Sequence, residues 1–99
     1  MLKKVTDIII IPMESFNSYV FTTRRVMLEC APVVRVLHEV DGDWQFLSQE
    51  SDLTAEDAMI VSFEEMMNHD STLKDVICLT RGRQAIRESI GSCWHFFDI

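Results

Sequence analysis

Three cysteines, three histidines and sixteen carboxylates are the side chains with which this 99-residue sequence could do chemistry. Metal binding needs His, Cys or carboxylates clustered at ligand spacing. The nearest approach is Cys93-Trp94-His95, where a strand would put Cys93 and His95 on one face. No second pair accompanies them, so a packed thiol beside a partly exposed imidazole is expected, with no metal and no cofactor. Asp41, Asp43 and Glu50 could offer oxygens to calcium, but the EF-hand order of alternating ligands, central Gly and terminal Glu is missing. Nucleophilic catalysis needs a Cys or Ser with a base and an orienting group. His38, His69 and His95 could each serve as a base, but there is no Gly-x-Ser-x-Gly, and three glycines leave no phosphate-cradling loop. The reading is non-enzymatic: His38 is expected in a strand, packed near Phe46, and Met66-Met67 in the core.

What remains is the placement of charge. No Lys or Arg occurs between Arg35 and Lys74, an interval that carries ten of the sixteen acids. The rest of the chain holds six acids and all nine basic residues, a net of +3. Residues 39–57, EVDGDWQFLSQESDLTAED, concentrate Glu39, Asp41, Asp43, Glu50, Asp52, Glu56 and Asp57 around Trp44 and Phe46. Such a stretch either keeps a solvated loop soluble or faces a basic partner, where complementary potential speeds encounter and rejects wrong partners. The seven acids are the candidate partner-binding residues. The overall charge of −7 argues against nucleic acid and anionic membrane as partners.

The elements that must position these acids are short. An Asp-Gly between two β-rich runs, VVRVLHEV and WQFLS, marks a hairpin. A two-residue loop at Asp41-Gly42 would pair Glu39 with Trp44 and Leu37 with Phe46. A three-residue loop at Asp41–Asp43 would pair Val40 with Trp44 and His38 with Phe46. A one-residue slip exchanges a strand's faces, and the second register gathers more apolar area with Val34 and Val36, so it is preferred. Gly42 serves the turn, while Trp44 and Phe46 anchor the hairpin to the core.

Before the hairpin, Ile8–Ile11 reads as a buried strand ended by Pro12, and Ser18–Thr23 as a second strand. Arg24–Ala31 is open between helix and loop. After it, Thr54-Ala-Glu-Asp57 suggests one capped turn before a strand-like Ala58–Val61. Ser62-Phe-Glu-Glu65 is a capping box leading a helix whose inner face is Phe63, Met66 and Met67. Asp70-Ser-Thr starts another short helix with Leu73, Val76 and Ile77 inward. Gly82 breaks it, and RQAIRES with SCWHFF around Ile90-Gly91 suggests a closing hairpin, with a helix over Gln84–Glu88 as the alternative. The sum is one α+β domain over residues 1–99: a mostly antiparallel sheet built from hairpins with two or three short helices packed on one side. The apolar run Ile8–Ile11 is too short for a secretory signal or a membrane span. An odd cysteine count without paired spacing suits a reducing compartment, so the expected location is cytoplasmic.

An ordered series of residues adds a resemblance: Thr23-Arg-Arg-Val26, Pro32-Val33, Gly42-Asp-Trp-Gln-Phe-Leu47, Asp70-Ser-Thr-Leu73, Gly82 with Ala85 and Arg87, then Trp94. Over residues 19–95 it resembles bacterial immunity protein family thirty-three, formerly a domain of unknown function. Trp-x-Phe after an Asp-Gly turn is its sharpest motif. The resemblance implies a protein that neutralises a toxin by binding it, and structural roles for Gly82 and Trp94. Two departures stand out. Ser48-Gln49-Glu50 occupies the place where family members often carry Gly, and residues 1–18 read as an additional N-terminal strand that could support a homo-oligomer.

Overall fold

The computed structural model describes residues 18–99. The expected N-terminal strand at Ile8–Ile11, and any oligomer built on it, lie outside the described residues. Six strands, β1 (Tyr19–Thr23), β2 (Arg35–His38), β3 (Trp44–Leu47), β4 (Ala58–Ser62), β5 (Arg83–Ile86) and β6 (His95–Asp98), form one sheet in the order β4-β1-β3-β2-β5-β6. Among the described residues there are also two α-helices, α1 (Arg24–Glu29) and α2 (Phe63–His69), and two 3-10 segments, Ala55–Asp57 and Ser71–Val76. The sheet is antiparallel except at the β1–β3 seam, where Phe21 pairs with Gln45 in parallel. Hairpins form β2–β3 and β5–β6, so the closing hairpin forms rather than a helix over Gln84–Glu88.

Local chemistry explains most boundaries. Thr23 ends β1 and caps α1, its hydroxyl accepting from Val26 N–H at 3.2 Å. The open segment Arg24–Ala31 thus holds a helix over Arg24–Glu29. It stops at Cys30, which takes the left-handed conformation (φ 60°), and Pro32 follows. Ser62 Oγ accepts from Glu65 N–H at 2.9 Å at the start of α2, and the Asp70 carboxylate accepts from Thr72 N–H at 2.9 Å at the next segment. Asp57 accepts from Thr54 N–H at 2.9 Å, fixing the single turn before β4.

The hairpin register differs from the preferred one. His38 pairs with Trp44 and Val36 with Phe46. The loop has three residues, as expected, but they are Val40, Asp41 and Gly42. Gly42 N–H donates to Glu39 O at 2.9 Å and Glu39 N–H to Asp43 O at 2.8 Å. The reason is Gly42 itself. Its φ of +100° suits the left-handed third position of such a loop, which a turn starting at Asp41 would not use. Moving each pair by two residues keeps the faces, so Val36, Trp44 and Phe46 still share the core side. His38 accordingly stacks on Trp44, centroids 4.0 Å apart, rather than on Phe46.

The core lies between one face of the sheet and the helical segments. Val20, Val36, Trp44, Phe46 and Val61 meet Val26, Phe63, Met66, Leu73 and Val76 there. Phe46 is fully buried, and Phe63 stands edge-on to both Trp44 (5.4 Å) and Phe46 (6.3 Å). Burial of a side chain of this size stabilises by about 1.5–3 kcal/mol. The other face of the sheet carries Tyr19, Phe21, Ile60, Ile86 and Phe97, all exposed.

Among the described residues, one charged side chain is buried in the interior. Arg87 is 3% exposed. Its Nε donates to Val33 O (2.9 Å), Nη1 to Thr72 Oγ1 (2.9 Å) and Nη2 to Asp70 Oδ2 (3.0 Å). Its guanidinium lies 4.2 Å from the Trp94 ring centroid. It ties the β5–β6 connection to the 3-10 segment and to the strand entering β2. The structural role expected of Trp94 is thus the floor under a buried cation. Gly82, left-handed at φ +84°, donates its N–H to His38 O at 2.7 Å and leads into β5 beside β2.

Candidate functional site

The candidate acids do not gather into one surface. Glu39 and Asp43 end the β2–β3 hairpin as neighbours across the strands, on the face away from the core. The Glu39 carboxylate accepts from the Gln45 side-chain amide. Asp57 reaches the same face from the turn before β4. These three line one open cleft of about 400 Å³ whose floor includes Phe21, Leu47 and Leu53. The registers put Asp43 level with Tyr19, and Asp57 level with Arg24. The two carboxylate ends therefore stand roughly 16 Å apart along the strands, at about 3.3 Å per residue.

The other four lie elsewhere. Asp41 sits exposed at the hairpin tip, its carboxylate accepting from Asp43 N–H at 3.1 Å. Glu50 follows β3 and accepts from the Ser48 hydroxyl. Asp52 lies 3.6 Å from Arg25 Nη1, both on the surface. Glu56 is exposed in the 3-10 turn. The basic-free interval of the sequence is thus not basic-free in space. Arg25 reaches Asp52, and the Arg81 guanidinium packs over Gly42 at the hairpin tip.

Two of these carboxylates are tuned by their hydrogen bonds. The Ser48 hydroxyl, then the backbone N–H of Glu50, hold the Glu50 carboxyl below its ordinary value. Thr54 N–H does the same for Asp57, with smaller help from the Thr54 hydroxyl and from Arg25 and Arg24. Bonds to the charged form favour it, so both stay ionised into mild acid.

The chemistry-bearing residues elsewhere are dispersed. Cys93 precedes β6 while His95 begins it, so they do not share a strand face as expected; both line an open cleft of about 680 Å³ with Glu88, Ile86 and Phe97. Cys30 and His69 border a smaller one of about 210 Å³ beside Asp70, whose carboxylate is committed to Arg87 and Thr72. Among the described residues no group of three or more His, Cys, Asp or Glu could hold a metal ion. No helix among them is long and apolar enough to cross a membrane. The three thiols are free and exposed.

Sequence reasoning missed the cleft floor. Phe21 belongs to β1, Leu47 to β3 and Leu53 to the connection after it, and only the parallel seam brings them together. The missed signal was alternation: Tyr19 and Phe21 fall on one face of a strand whose Val20 and Thr22 fill the core. No family model, curated protein or solved structure matches the chain.

Proposed function

We propose that this chain is a non-enzymatic, protein-binding domain of the immunity type, which occludes a basic surface of a toxin protein in the cytoplasm. The observation that carries the reading is the cleft on the open face of the sheet, where carboxylates from two separate elements flank an apolar floor. Glu39 and Asp43 stand at one end, Asp57 at the other, with Phe21 and Leu47 between. Charge at the rim steers and selects, while the apolar floor supplies the area that binding needs. A protein surface with Lys or Arg around an apolar centre fits this arrangement. Nucleic acid does not, since phosphates would meet carboxylates. The free thiols are consistent with a reducing compartment.

The experiment is capture of partners from the native lysate on the tagged chain, washed at low and high salt, beside the variant Glu39→Gln, Asp43→Asn, Asp57→Asn. The expected result is one stoichiometric basic protein, retained by the wild type, released by high salt and lost from the variant, with the variant's melting temperature close to wild type. Equal retention by wild type and variant would refute the cleft as the binding surface.

A further inference from the structure

A second feature lies at the opposite end of the sheet from the β1–β4 edge. We propose that β6 is a self-association edge: two copies of this chain pair their β6 strands antiparallel about a two-fold axis, continuing the sheet from one protomer into the next.

The backbone is ready for this. Ile99 N–H donates to Gly82 O at 3.0 Å, and Gln84 pairs with Phe97 and Ile86 with His95. In an antiparallel ladder the hydrogen-bonding direction alternates. Residues 95, 97 and 99 therefore point their amides at β5, and the N–H and C=O of Phe96 point away from the sheet. Among the described residues no strand pairs with that side.

The side chains fit a second copy better than they fit water. Phe96 is 45% exposed on the helical side, Phe97 50% on the open face, and Ile99 54% just beyond. Proteins blunt edges of this kind with Lys, Pro or a bulge. His95–Asp98 contains neither Lys nor Pro and pairs with β5 without a bulge. Its one acid, Asp98, would repel its own copy, but Arg83 Nη1 neutralises it at 2.7 Å. The rival edge, β4, carries a single strongly exposed large apolar residue, Ile60.

Symmetry narrows the register. A two-fold axis perpendicular to the sheet joins like faces, so residues of equal parity oppose each other. With the axis at Phe96, its outward N–H and C=O exchange bonds with the partner's Phe96, and His95 falls opposite the partner's Phe97 on the open face. The area sets the strength. Two half-exposed aromatics of about 150–250 Å² each give roughly 200 Å² per protomer. With His95, Ile99 and the backbone, the pair buries on the order of 800–1,000 Å², at the lower limit for a specific interface. The dimer is therefore concentration-dependent rather than obligate.

The test is sedimentation equilibrium of the full chain from about 1 μM upward to several hundred micromolar, a range chosen for an interface of this size. The wild type should rise from the 11.5 kDa monomer mass toward double. Phe96→Pro removes an outward N–H and leaves the β5 ladder intact, so it should stay monomeric with wild-type circular dichroism. Phe97→Lys, an edge charge, should do the same and serves if the proline variant fails to fold. Ile60→Lys, on β4, should leave the dimer unchanged. A wild type that stays at monomer mass throughout overturns the proposal. So does a dimer that survives both β6 substitutions or is lost only with Ile60→Lys. The variant of Glu39, Asp43 and Asp57 should dimerise normally, which separates this surface from the cleft.

Discussion

Replacing Arg87 with Met should cost more than any surface change in this protein. The substitution keeps most of the aliphatic volume and removes the guanidinium. Three consequences follow at once. Asp70, whose side chain is 10% exposed, loses its one ion-pair partner among the described residues. Val33 O loses its bond to Nε, and Trp94 loses the charge above its ring. Removing one partner of a buried pair costs about 3–5 kcal/mol, because the other charge is left buried. Total stability of a domain is only about 5–15 kcal/mol, so Arg87→Met should lower the urea midpoint by a large fraction of its value. Asp70→Asn should also cost about 3–5 kcal/mol, since it leaves the guanidinium of Arg87, whose side chain is 1% exposed, without its anion, although Asn can still accept from Thr72 N–H. The double variant removes both charges together and should be more stable than the sum of the singles predicts, by about 1–3 kcal/mol. Urea unfolding followed by circular dichroism and tryptophan fluorescence gives all four corners of the cycle. A single Arg87→Met variant within about 1 kcal/mol of wild type, or a cycle that is additive, would show that the charge is not paired in the way the geometry requires.

Two further perturbations test the hairpin and the acid that follows it. Gly42→Ala should destabilise by about 1–2 kcal/mol, the cost of a side chain in the left-handed region. The new Cβ would also meet Arg81 Nη2 at 2.9 Å, so adding Arg81→Ala should recover the steric part but not the backbone part. Thermal melts of the two variants separate them. Ser48→Ala should raise the Glu50 carboxyl toward its ordinary 4.5, since the Ser48 hydroxyl is the largest cause of its depression. A carboxylate with a depressed value contributes stability above its unfolded pKa, and loses it as pH falls through the folded value. The wild type should therefore lose this contribution only below pH 4.5, and the Ser48→Ala variant should show a smaller acid-induced loss. Carboxyl carbon NMR through the acid range reads the midpoint directly.

The parts of this fold that could be read from the sequence are those governed by neighbours along the chain. Ser62 with Glu65, Thr54 with Asp57 and Asp70 with Thr72 all form within three residues, and each marks an element boundary where it was expected. The inner face of α2 follows from spacing alone. The hairpin was legible as a hairpin, and its faces were legible, because Trp44 and Phe46 demand burial. Its register was not, because the two-residue Asp41-Gly42 loop and the three-residue Asp41–Asp43 loop both fit the Asp-Gly, while the φ of Gly42 selects a third, Val40–Gly42. The parallel β1–β3 seam has no local signature: its strands are separated by α1 and β2, and antiparallel pairing with either neighbour satisfies the same alternation. Arg87 was equally opaque. Its parity matches Ala85 on the core side of β5, but nothing within ten residues supplies the carboxylate; Asp70 does so from 17 residues away.

That distinction changes which acids matter. Along the chain, Asp41, Asp43, Glu50 and Asp52 form the densest negative group near the aromatic pair. In space, Asp41 is folded into its own turn, Glu50 is engaged by Ser48, and Asp52 lies beside Arg25. Each is a carboxylate already answered by a donor or a cation. Glu39 and Asp57 also accept hydrogen bonds; what sets them apart with Asp43 is position, since strand pairing brings all three to the cleft around Phe21 and Leu47. A basic partner gains most where charge borders apolar area, because desolvating the surrounding floor strengthens the contact that the charge has oriented. Neutralising Asp41, Glu50 and Asp52, none of which lines the cleft, should therefore weaken long-range steering and its salt dependence. Neutralising the three at the cleft should raise the dissociation rate. If both sets change only the association rate, the apolar floor takes no part in binding, and the acids act through long-range field alone.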